Sequence, residues 1–236
     1  MKAALIFTVI GFSLLIFFLK LRVGEKRVEA VILKSFVSLC FIASALSSLP
    51  RLSGKDFTFG ILIVGGLIFC LLGDIWLDFK YICRDKEDTF TLTGFFAFTV
   101  GHCLYISALA VRFCSDFKPY CILIPAGFAV FAFLLIRFGG KLLKVNYEGK
   151  YKFVVPFYSA VMTAFVTFSL ALIILTGRKV PVLIFINIAG LFFMVSDGIL
   201  NGTYFGKGKD RPVHIITNHV TYYIAQFMIA FSLCLL

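Results

Sequence analysis

Charge is the property that this sequence has least of. Of its 236 residues, 15% are Asp, Glu, Lys or Arg and 61% are hydrophobic, whereas a soluble domain has about 25% charged and about 45–50% apolar residues. The composition therefore excludes an ordinary soluble globule, a disordered chain and a nucleic-acid-binding module. Acidic residues are the scarcer kind, 12 against 23 Lys and Arg. In so apolar a chain, this excess predicts basic loops that orient the protein in a membrane.

Patterns typical of metal sites are also missing from the sequence. The seven cysteines include no Cys-x-x-Cys pair and no spacing that is typical of metal ligands. Most of the cysteines fall within apolar runs, where a free thiol behaves as a small apolar side chain. We therefore predict no metal and no cofactor.

Apolar runs of about 18 or more residues, separated by charged or Gly/Pro clusters, predict eight transmembrane helices. An all-α polytopic membrane protein follows, since backbone groups in lipid must be paired internally. The N-terminal run is predicted to be a retained span, and the last span has the most polar start. We place the spans near residues 3–19, 30–49, 57–78, 91–111, 119–137, 152–175, 181–203 and 213–236. Short loops leave no room for a soluble catalytic domain, so any chemistry must take place among the helices.

The loops differ in their basic residues. Those after spans 1, 3, 5 and 7 carry 15 Lys and Arg, against 7 on the opposite side. The positive-inside rule then places the 15-charge loops in the cytoplasm and both termini outside or in a lumen. We predict a multi-pass protein of the endoplasmic reticulum or the plasma membrane.

Two short motifs occur twice along the chain. Gly73-Asp74-x-x-Leu77-Asp78 ends span 3, and Ser196-Asp197-x-x-Leu200-Asn201 ends span 7. A His-x-x-Tyr motif occurs in span 4 at His102 and in span 8 at His219. We treat residues 1–236 as one integral membrane domain with possible repeat halves 1–111 and 119–236. Such halves enter the membrane the same way, and a site is expected where they meet.

Four ionisable residues lie inside the predicted spans, namely Lys34, Asp74, Asp78 and Asp197. Each costs up to about 2.5–3.5 kcal/mol at the bilayer centre, so a functional role is the default interpretation. Because one Lys cannot neutralise three Asp, ion pairs that only fix the helix register are the weaker alternative. Asp74 and Asp78 share one helix face, and one of the two is expected to stay protonated near neutral pH.

The depths of the polar residues in the membrane predict that they lie close together. Spans 3 and 7 carry their Asp near the cytoplasmic end, while Lys34, Tyr158 and Tyr222 lie within a few turns of the cytoplasmic start of spans 2, 6 and 8. We therefore predict one polar site in the cytoplasmic half of the membrane. His102, near the middle of its span, is more typical of a hydrogen-bonded packing residue, and Asn187 of a hydrogen bond between helices.

These segments resemble the YhhN family of eight-span membrane proteins, the lysoplasmalogenases. The resemblance covers nearly the whole chain in order and spacing. It rests on Lys34, Gly73-Asp74-x-x-Leu77, Gly101-His102-x-x-Tyr105, Ser196-Asp197-x-x-Leu200 and Tyr222-Tyr223-x-Ala225-Gln226. Ser35 is a departure, since bacterial relatives often have Pro after the Lys.

The resemblance implies hydrolysis of the vinyl-ether bond of a lysoplasmalogen, which releases a fatty aldehyde and glycerophospho-ethanolamine or -choline. A vinyl ether is hydrolysed by protonation at carbon, so the site needs a neutral carboxylic acid, a stabilising anion and a base for water, as glycosidases do. Asp74 and Asp197 are then the principal acid–base residues, and Asp78 adjusts their pKa values or stabilises the oxocarbenium cation. Lys34 binds phosphate or balances charge. The substrate-binding residues are expected to be His102, Tyr105, Tyr158, Tyr222, Tyr223 and Gln226. The partners implied are a lysophospholipid substrate and membrane lipid, and no nucleic acid.

Two other functions compete with this prediction. A small lipid or solute transporter could use the intramembrane Asp residues as proton sites, although transporters favour sites at the midplane. A metal-dependent hydrolase could use three Asp and a His, but His214 and His219 are five residues apart and face different sides of a helix.

Overall fold

The computed structural model describes residues 1–24, 27–114, 119–175, 180–206 and 211–236. Within them the chain is all-α, as predicted, and each predicted span coincides with one long helix. The helices are α1 (Lys2–Val23), α2 (Arg27–Leu46), α3 (Gly54–Phe79), α4 (Glu87–Phe113), α5 (Tyr120–Phe138), the four-residue α6 (Gly140–Leu143), α7 (Tyr151–Leu175), α8 (Pro181–Phe205) and α9 (Pro212–Ser232). Short 3₁₀ helices follow α2, precede α4 and end the chain.

Seven helices in the described part of the chain are long and apolar enough to cross a membrane, so the chain is a multi-pass integral membrane protein. They are α1 to α5, α7 and α8. Helix α9 is not among them, because polar residues such as His214, Asn218 and His219 lower its mean hydropathy. The predicted placement of the termini depends on an even number of spans and stays a prediction. Of the basic loop residues counted above, Lys26, Lys118, Arg178, Lys179, Lys207 and Lys209 lie outside the described residues.

The described residues group into two compact units. The first comprises Met1–Arg112 with Gln226–Leu236, and the second comprises Phe113–Ala225. Helix α9 therefore begins in the second unit and ends in the first. The boundary after residue 112 lies close to that of the predicted repeat halves, whereas the chain after residue 225 belongs to the first unit. The repeat itself stays a prediction.

In the first unit, consecutive helices run antiparallel. Ser44, near the end of α2, donates a hydrogen bond to the carbonyl of Ala4 at the start of α1 at 3.2 Å. Helices α3 and α4 are joined at one end by the Asp56–Arg112 ion pair. The end of α9 packs its Phe227 ring on Phe12, with the ring centroids 5.0 Å apart. Since Phe227 is 2% exposed, this end of the chain is part of the core of the first unit.

Helices α3 and α4 approach each other closely because their contact is lined by glycine. A Cβ atom on Gly66 would lie 2.3 Å from the ring of Tyr105, and one on Gly101 would lie 3.0 Å from the carbonyl oxygen of Gly66. Small residues at helix contacts in membranes permit such backbone approach. The close contact brings the polar face of α3 against α4.

The second unit is held together by hydrogen bonds between neighbouring helices as well as by apolar packing. Asn187 of α8 donates to the carbonyl of Val166 at 3.0 Å and to the hydroxyl of Ser169 at 2.9 Å, both on α7. This confirms the predicted interhelical role of Asn187. Asn218 of α9 donates to the carbonyl of Ser196 on α8 at 2.7 Å. These bonds pair side chains that would otherwise be costly in an apolar interior.

Candidate functional site

The charged residues of the first unit form one buried cluster, made of Arg22, Lys34, Asp74 and Asp78. The ammonium of Lys34 lies 3.1 Å from Asp74 Oδ1 and 3.2 Å from Asp78 Oδ1. The guanidinium of Arg22 pairs with the other oxygen of Asp78. All four side chains are at most 9% exposed. We call these four residues the charged cluster.

Helix periodicity explains how three helices supply the charged cluster. Asp74 and Asp78 are one turn apart on α3, so their carboxyls point the same way. Lys34 and Ser38 are one turn apart on the facing side of α2, and the hydroxyl of Ser38 donates to Asp74 Oδ2 at 2.8 Å. Asp74 therefore has a cation and a hydroxyl donor, while Asp78 has two cations.

The position of Arg22 corrects the sequence interpretation. The sequence predicts that span 1 ends near residue 19 and that Arg22 lies in a loop, but α1 continues to Val23 and Arg22 lies in its last turn. Its guanidinium carbon lies 4.6 Å from the centre of the Tyr81 ring. The argument that one Lys cannot neutralise the carboxylates therefore misses a second cation. Within the charged cluster, two cations face two carboxylates.

The predicted residues of α4 and α9 in the first unit form a second, uncharged group. The hydroxyl of Tyr105 donates to Gln226 Oε1 at 3.1 Å and lies 3.6 Å from Cys70 Sγ. His102 is fully buried, and its Nδ1 lies 2.8 Å from the carbonyl oxygen of Phe98 one turn earlier. Its ring packs edge-on against Tyr105. Because Cys70 is one turn before Asp74 on α3, this group adjoins the charged cluster along that helix face.

Lys80, just beyond α3, is a further buried cation in the first unit. Its ammonium lies 3.7 Å from Glu87 Oε1 and 5.0 Å from the centre of the Tyr81 ring. Burial lowers the pKa of Lys80 to about 8, against the opposing effect of Glu87, because the charged form loses hydration. Lys80 and Arg22 thus both contact Tyr81 at this end of α3.

The second unit surrounds its carboxyl differently. The hydroxyl of Tyr158 on α7 donates a short hydrogen bond to Asp197 Oδ2 on α8. Among the described residues, no Lys, Arg or His forms an ion pair with Asp197. Tyr158 is 4% exposed, whereas Asp197 is partly exposed. The structure therefore places the predicted residues Tyr158 and Asp197 together, as a hydroxyl–carboxyl pair.

One turn beyond Asp197, a loop closes over the end of α8. The hydroxyl of Tyr147 donates to Asn201 Oδ1 at 3.0 Å, and the backbone N–H of Asn146 donates to the carbonyl of Phe205 at 2.9 Å. Tyr147 is 7% exposed. Sequence reasoning missed Tyr147, because nothing in the loop sequence distinguishes it from a belt tyrosine.

The remaining predicted residues lie in the middle of α9. Tyr222 is 6% exposed and packs edge-on against Phe193 of α8 at 5.3 Å between ring centres. Tyr223 is fully buried and its ring is 5.0 Å from that of Tyr222. His219 Nδ1 lies 2.8 Å from the carbonyl oxygen of Ile215, the same local bond that His102 makes in α4.

Among the described residues, polar side-chain contacts thus join predicted site residues to one another in the charged cluster, in the Tyr105–Gln226 pair and in the Tyr158–Asp197 pair. Their predicted convergence at one depth stays a prediction. Among the described residues, no three His, Cys, Asp or Glu side chains form a group that could hold a metal ion. The site therefore offers two kinds of carboxyl. Asp74 and Asp78 are in ion pairs, and Asp197 is hydrogen-bonded to a hydroxyl.

A family model described as the YhhN family matches residues 29–233. The match covers well over half of the chain, and the chain belongs to this family. No curated protein and no solved structure gives a significant match. The match begins after α1, so Arg22 lies outside it.

Proposed function

We propose that this member of the YhhN family hydrolyses the vinyl-ether bond of lysoplasmalogens within the membrane. The observation that carries the proposal is the Tyr158–Asp197 pair, a carboxyl in an apolar span that is held by a hydroxyl and that forms no ion pair with a described cation. The family, the multi-pass fold and the buried carboxyls support it together. The substrate class is a single-chain ether phospholipid with an ethanolamine or choline headgroup.

The reaction needs a proton delivered to carbon. Protonation of the outer vinyl carbon converts the ether into an oxocarbenium ion, and water adds to the carbon next to oxygen. The adduct loses one proton to give a neutral hemiacetal, and the hydroxyl proton of the hemiacetal is then transferred to the glycerol oxygen as the bond between carbon and that oxygen breaks. One water is consumed, and one fatty aldehyde and one glycerophospho-alcohol are formed. General acid catalysis of this kind contributes about 10²–10⁴-fold.

Asp197 is the proposed proton donor. A carboxylate in an ion pair gives up that pair when it takes up a proton, and both Asp74 and Asp78 are so paired. Asp197 can carry a proton and keep its partner, because the hydroxyl of Tyr158 can rotate and hydrogen-bond to either form of the carboxyl. Tyr158 then positions the donor. A proton from solvent restores the carboxyl after each transfer, in balance with the proton that the water adduct releases.

The charged cluster suits the anionic roles in the same reaction. Asp74 and Asp78 both form ion pairs with cations, and a carboxylate can stabilise a positive charge or accept a proton from water. The ammonium of Lys34 is engaged by both carboxylates, which supports charge balance rather than phosphate binding as its role. We assign the role of base to Asp74, whose carboxylate pairs with Lys34 and accepts a hydrogen bond from Ser38.

The direct test uses purified protein in detergent micelles and three lysophosphatidylethanolamines that differ only at the first glycerol carbon. Aldehyde is expected from the 1-alkenyl lipid, and no cleavage from the 1-alkyl or 1-acyl lipid, since only a vinyl ether is activated by protonation at carbon. Cleavage of the acyl lipid instead would indicate an esterase. Protein in liposomes that moves the intact lipid across the bilayer without forming aldehyde would overturn the proposal in favour of a transporter.

A further inference from the structure

We propose that Arg22 is a positioning residue for the charged cluster. Its pairing with Asp78 allows Lys34 to bridge both carboxylates, and so holds Asp74 in place. The inference rests on the proposed function, in which Asp74 acts as the base. It adds α1 to the functional part of the molecule, although the family match begins after this helix.

The surroundings of Arg22 hold its guanidinium in one place. Its side chain is 9% exposed, and its position at the end of α1 directs it to Asp78 on α3. The ring of Phe18 lies one turn earlier on the same helix, 5.6 Å from the guanidinium carbon, and the Tyr81 ring lies 4.6 Å away. Cation–π contacts of this kind favour Arg at a desolvated site.

The Asp78 carboxylate depends on Arg22 for its charge balance. Asp78 offers one oxygen to Arg22 and the other to Lys34. Without Arg22, Asp78 would keep Lys34 as its ion-pair partner, and Lys34 also pairs with Asp74 on the same face of α3. Lys34 would then be drawn toward Asp78, and Asp74 would lose part of the ion pair that holds it beside Ser38. A change at Arg22 therefore reaches Asp74 through two intermediate residues, Asp78 and Lys34.

Arg22 has a matched control on its own helix. Lys20 lies two residues earlier in the same last turn, is exposed, and has its ammonium 5.8 Å from the Phe17 ring. Lys20→Gln and Arg22→Gln remove the same charge from the same turn. Only the second change removes an ion pair with Asp78, so the difference between the two variants isolates the pairing.

The experiment measures kcat, KM and the melting temperature for wild-type protein, Lys20→Gln, Arg22→Gln, Arg22→Lys and the double variant Arg22→Gln/Asp78→Asn. We expect Arg22→Gln to lower kcat by about tenfold or more, the equivalent of one charge-assisted hydrogen bond, with KM little changed. Arg22→Lys is expected to recover most of the loss, because it returns the charge. The melting temperature of the double variant is expected to be no lower than that of Arg22→Gln, since Asn removes the carboxylate that has lost its pairing with Arg22.

Each result decides one statement. If wild-type protein releases aldehyde and Arg22→Gln behaves like Lys20→Gln, the inference is overturned while the proposed function stands. An Arg22→Lys variant as slow as Arg22→Gln also overturns it, since charge would then not be what Arg22 supplies. If wild-type protein is inactive, the proposed function fails. The pairing can then still be tested by melting temperature. It is refuted if the losses in Arg22→Gln and Asp78→Asn add up to the loss in the double variant. If Arg22→Gln does not fold, a folded double variant supports the charge argument.

Discussion

The two units carry a carboxyl in the same short motif and surround it with different chemistry. In the first unit, Asp74 is held by Lys34 from the preceding helix. In the second unit, the motif residue Asp197 is held by Tyr158 from the preceding helix. One turn later the difference recurs, because Asp78 pairs with Arg22 and Asn201 pairs with Tyr147.

This difference separates two ways of keeping a polar group in an apolar helix bundle. An ion pair fixes the charge of both partners, and removing one partner leaves an uncompensated charge that costs about 3–5 kcal/mol. A hydroxyl partner tolerates either protonation state of a carboxyl and can follow a proton transfer. The first unit is therefore suited to hold charge, and the second to exchange a proton.

The largest effect is expected from removing the exchangeable carboxyl. Asp197→Asn should lower turnover of the 1-alkenyl lipid by about 10²–10⁴-fold, because the amide cannot donate a proton to carbon. Tyr158→Phe, which keeps the carboxyl, should lower it far less. Aldehyde release over time measures both. Unimpaired turnover in both Asp197→Asn and Asp74→Asn would refute the assignment of either residue to acid–base chemistry.

A stability comparison tests the two kinds of pairing directly. Lys34→Met removes the cation shared by Asp74 and Asp78 and should destabilise the protein by about 3–5 kcal/mol. Tyr158→Phe removes one hydrogen bond and should cost about 0.5–1.5 kcal/mol. Denaturant unfolding in mixed micelles, followed by the single tryptophan or by circular dichroism, measures both. Equal losses would mean that Asp197 depends on Tyr158 as an ion pair depends on its partner.

The sequence predicts the helices well and their ends less well. Long apolar runs locate every long helix because burial in lipid requires nothing more than length and hydropathy. The predicted end of α1 was wrong by several residues, because charged residues such as Lys20 and Arg22 are typical of a loop when a span is defined by hydropathy alone. In the structure Arg22 is buried because Asp78 compensates its charge. The hydropathy of α1 alone cannot predict this contact, because the partner residue lies on another helix.

The candidate site could be predicted as a set of residues but not as a set of pairs. Helix periodicity places Asp74 and Asp78 on one face, and their contact with Lys34 follows from depth. Which hydroxyl reaches which carboxyl depends on the rotation of each helix, so the bonds of Ser38 and Tyr147 were missed. The roles given to His102 and Tyr222 in substrate binding stay predictions, as does the joining of both units into one site.

Glycines beside the two carboxyls sharpen the comparison in terms of packing. Gly73 precedes Asp74, and a Cβ there would lie 2.7 Å from the Phe98 ring, whereas Gly198 follows Asp197 and has open space. Gly73→Ala should destabilise the protein by about 1–3 kcal/mol through overpacking. Gly198→Ala should be neutral or stabilising by up to about 1 kcal/mol, because Ala favours the helix. Melting temperatures of the two variants measure this, and a larger loss at Gly198 would contradict the packing described here.

The smallest effect concerns the alkaline side of the pH scale, where the two units again differ. Burial lowers the pKa of Lys80 to about 8 from an ordinary value of 10.5, so folding disfavours its charged form. The unfolded chain then binds more protons than the folded one between these values, and stability rises with pH in that window. From pH 8 to pH 9 the gain should be about 1 kcal/mol.

The second unit should not share this titration, since burial raises the pKa of Tyr147 and keeps its phenol neutral in the same range. Lys80→Met should therefore abolish the gain, and Tyr147→Phe should leave it intact. The measurement is the free energy of unfolding of the three proteins at both pH values. A gain that survives in Lys80→Met would locate the titrating group elsewhere, and would remove Lys80 from the buried cations that distinguish the first unit.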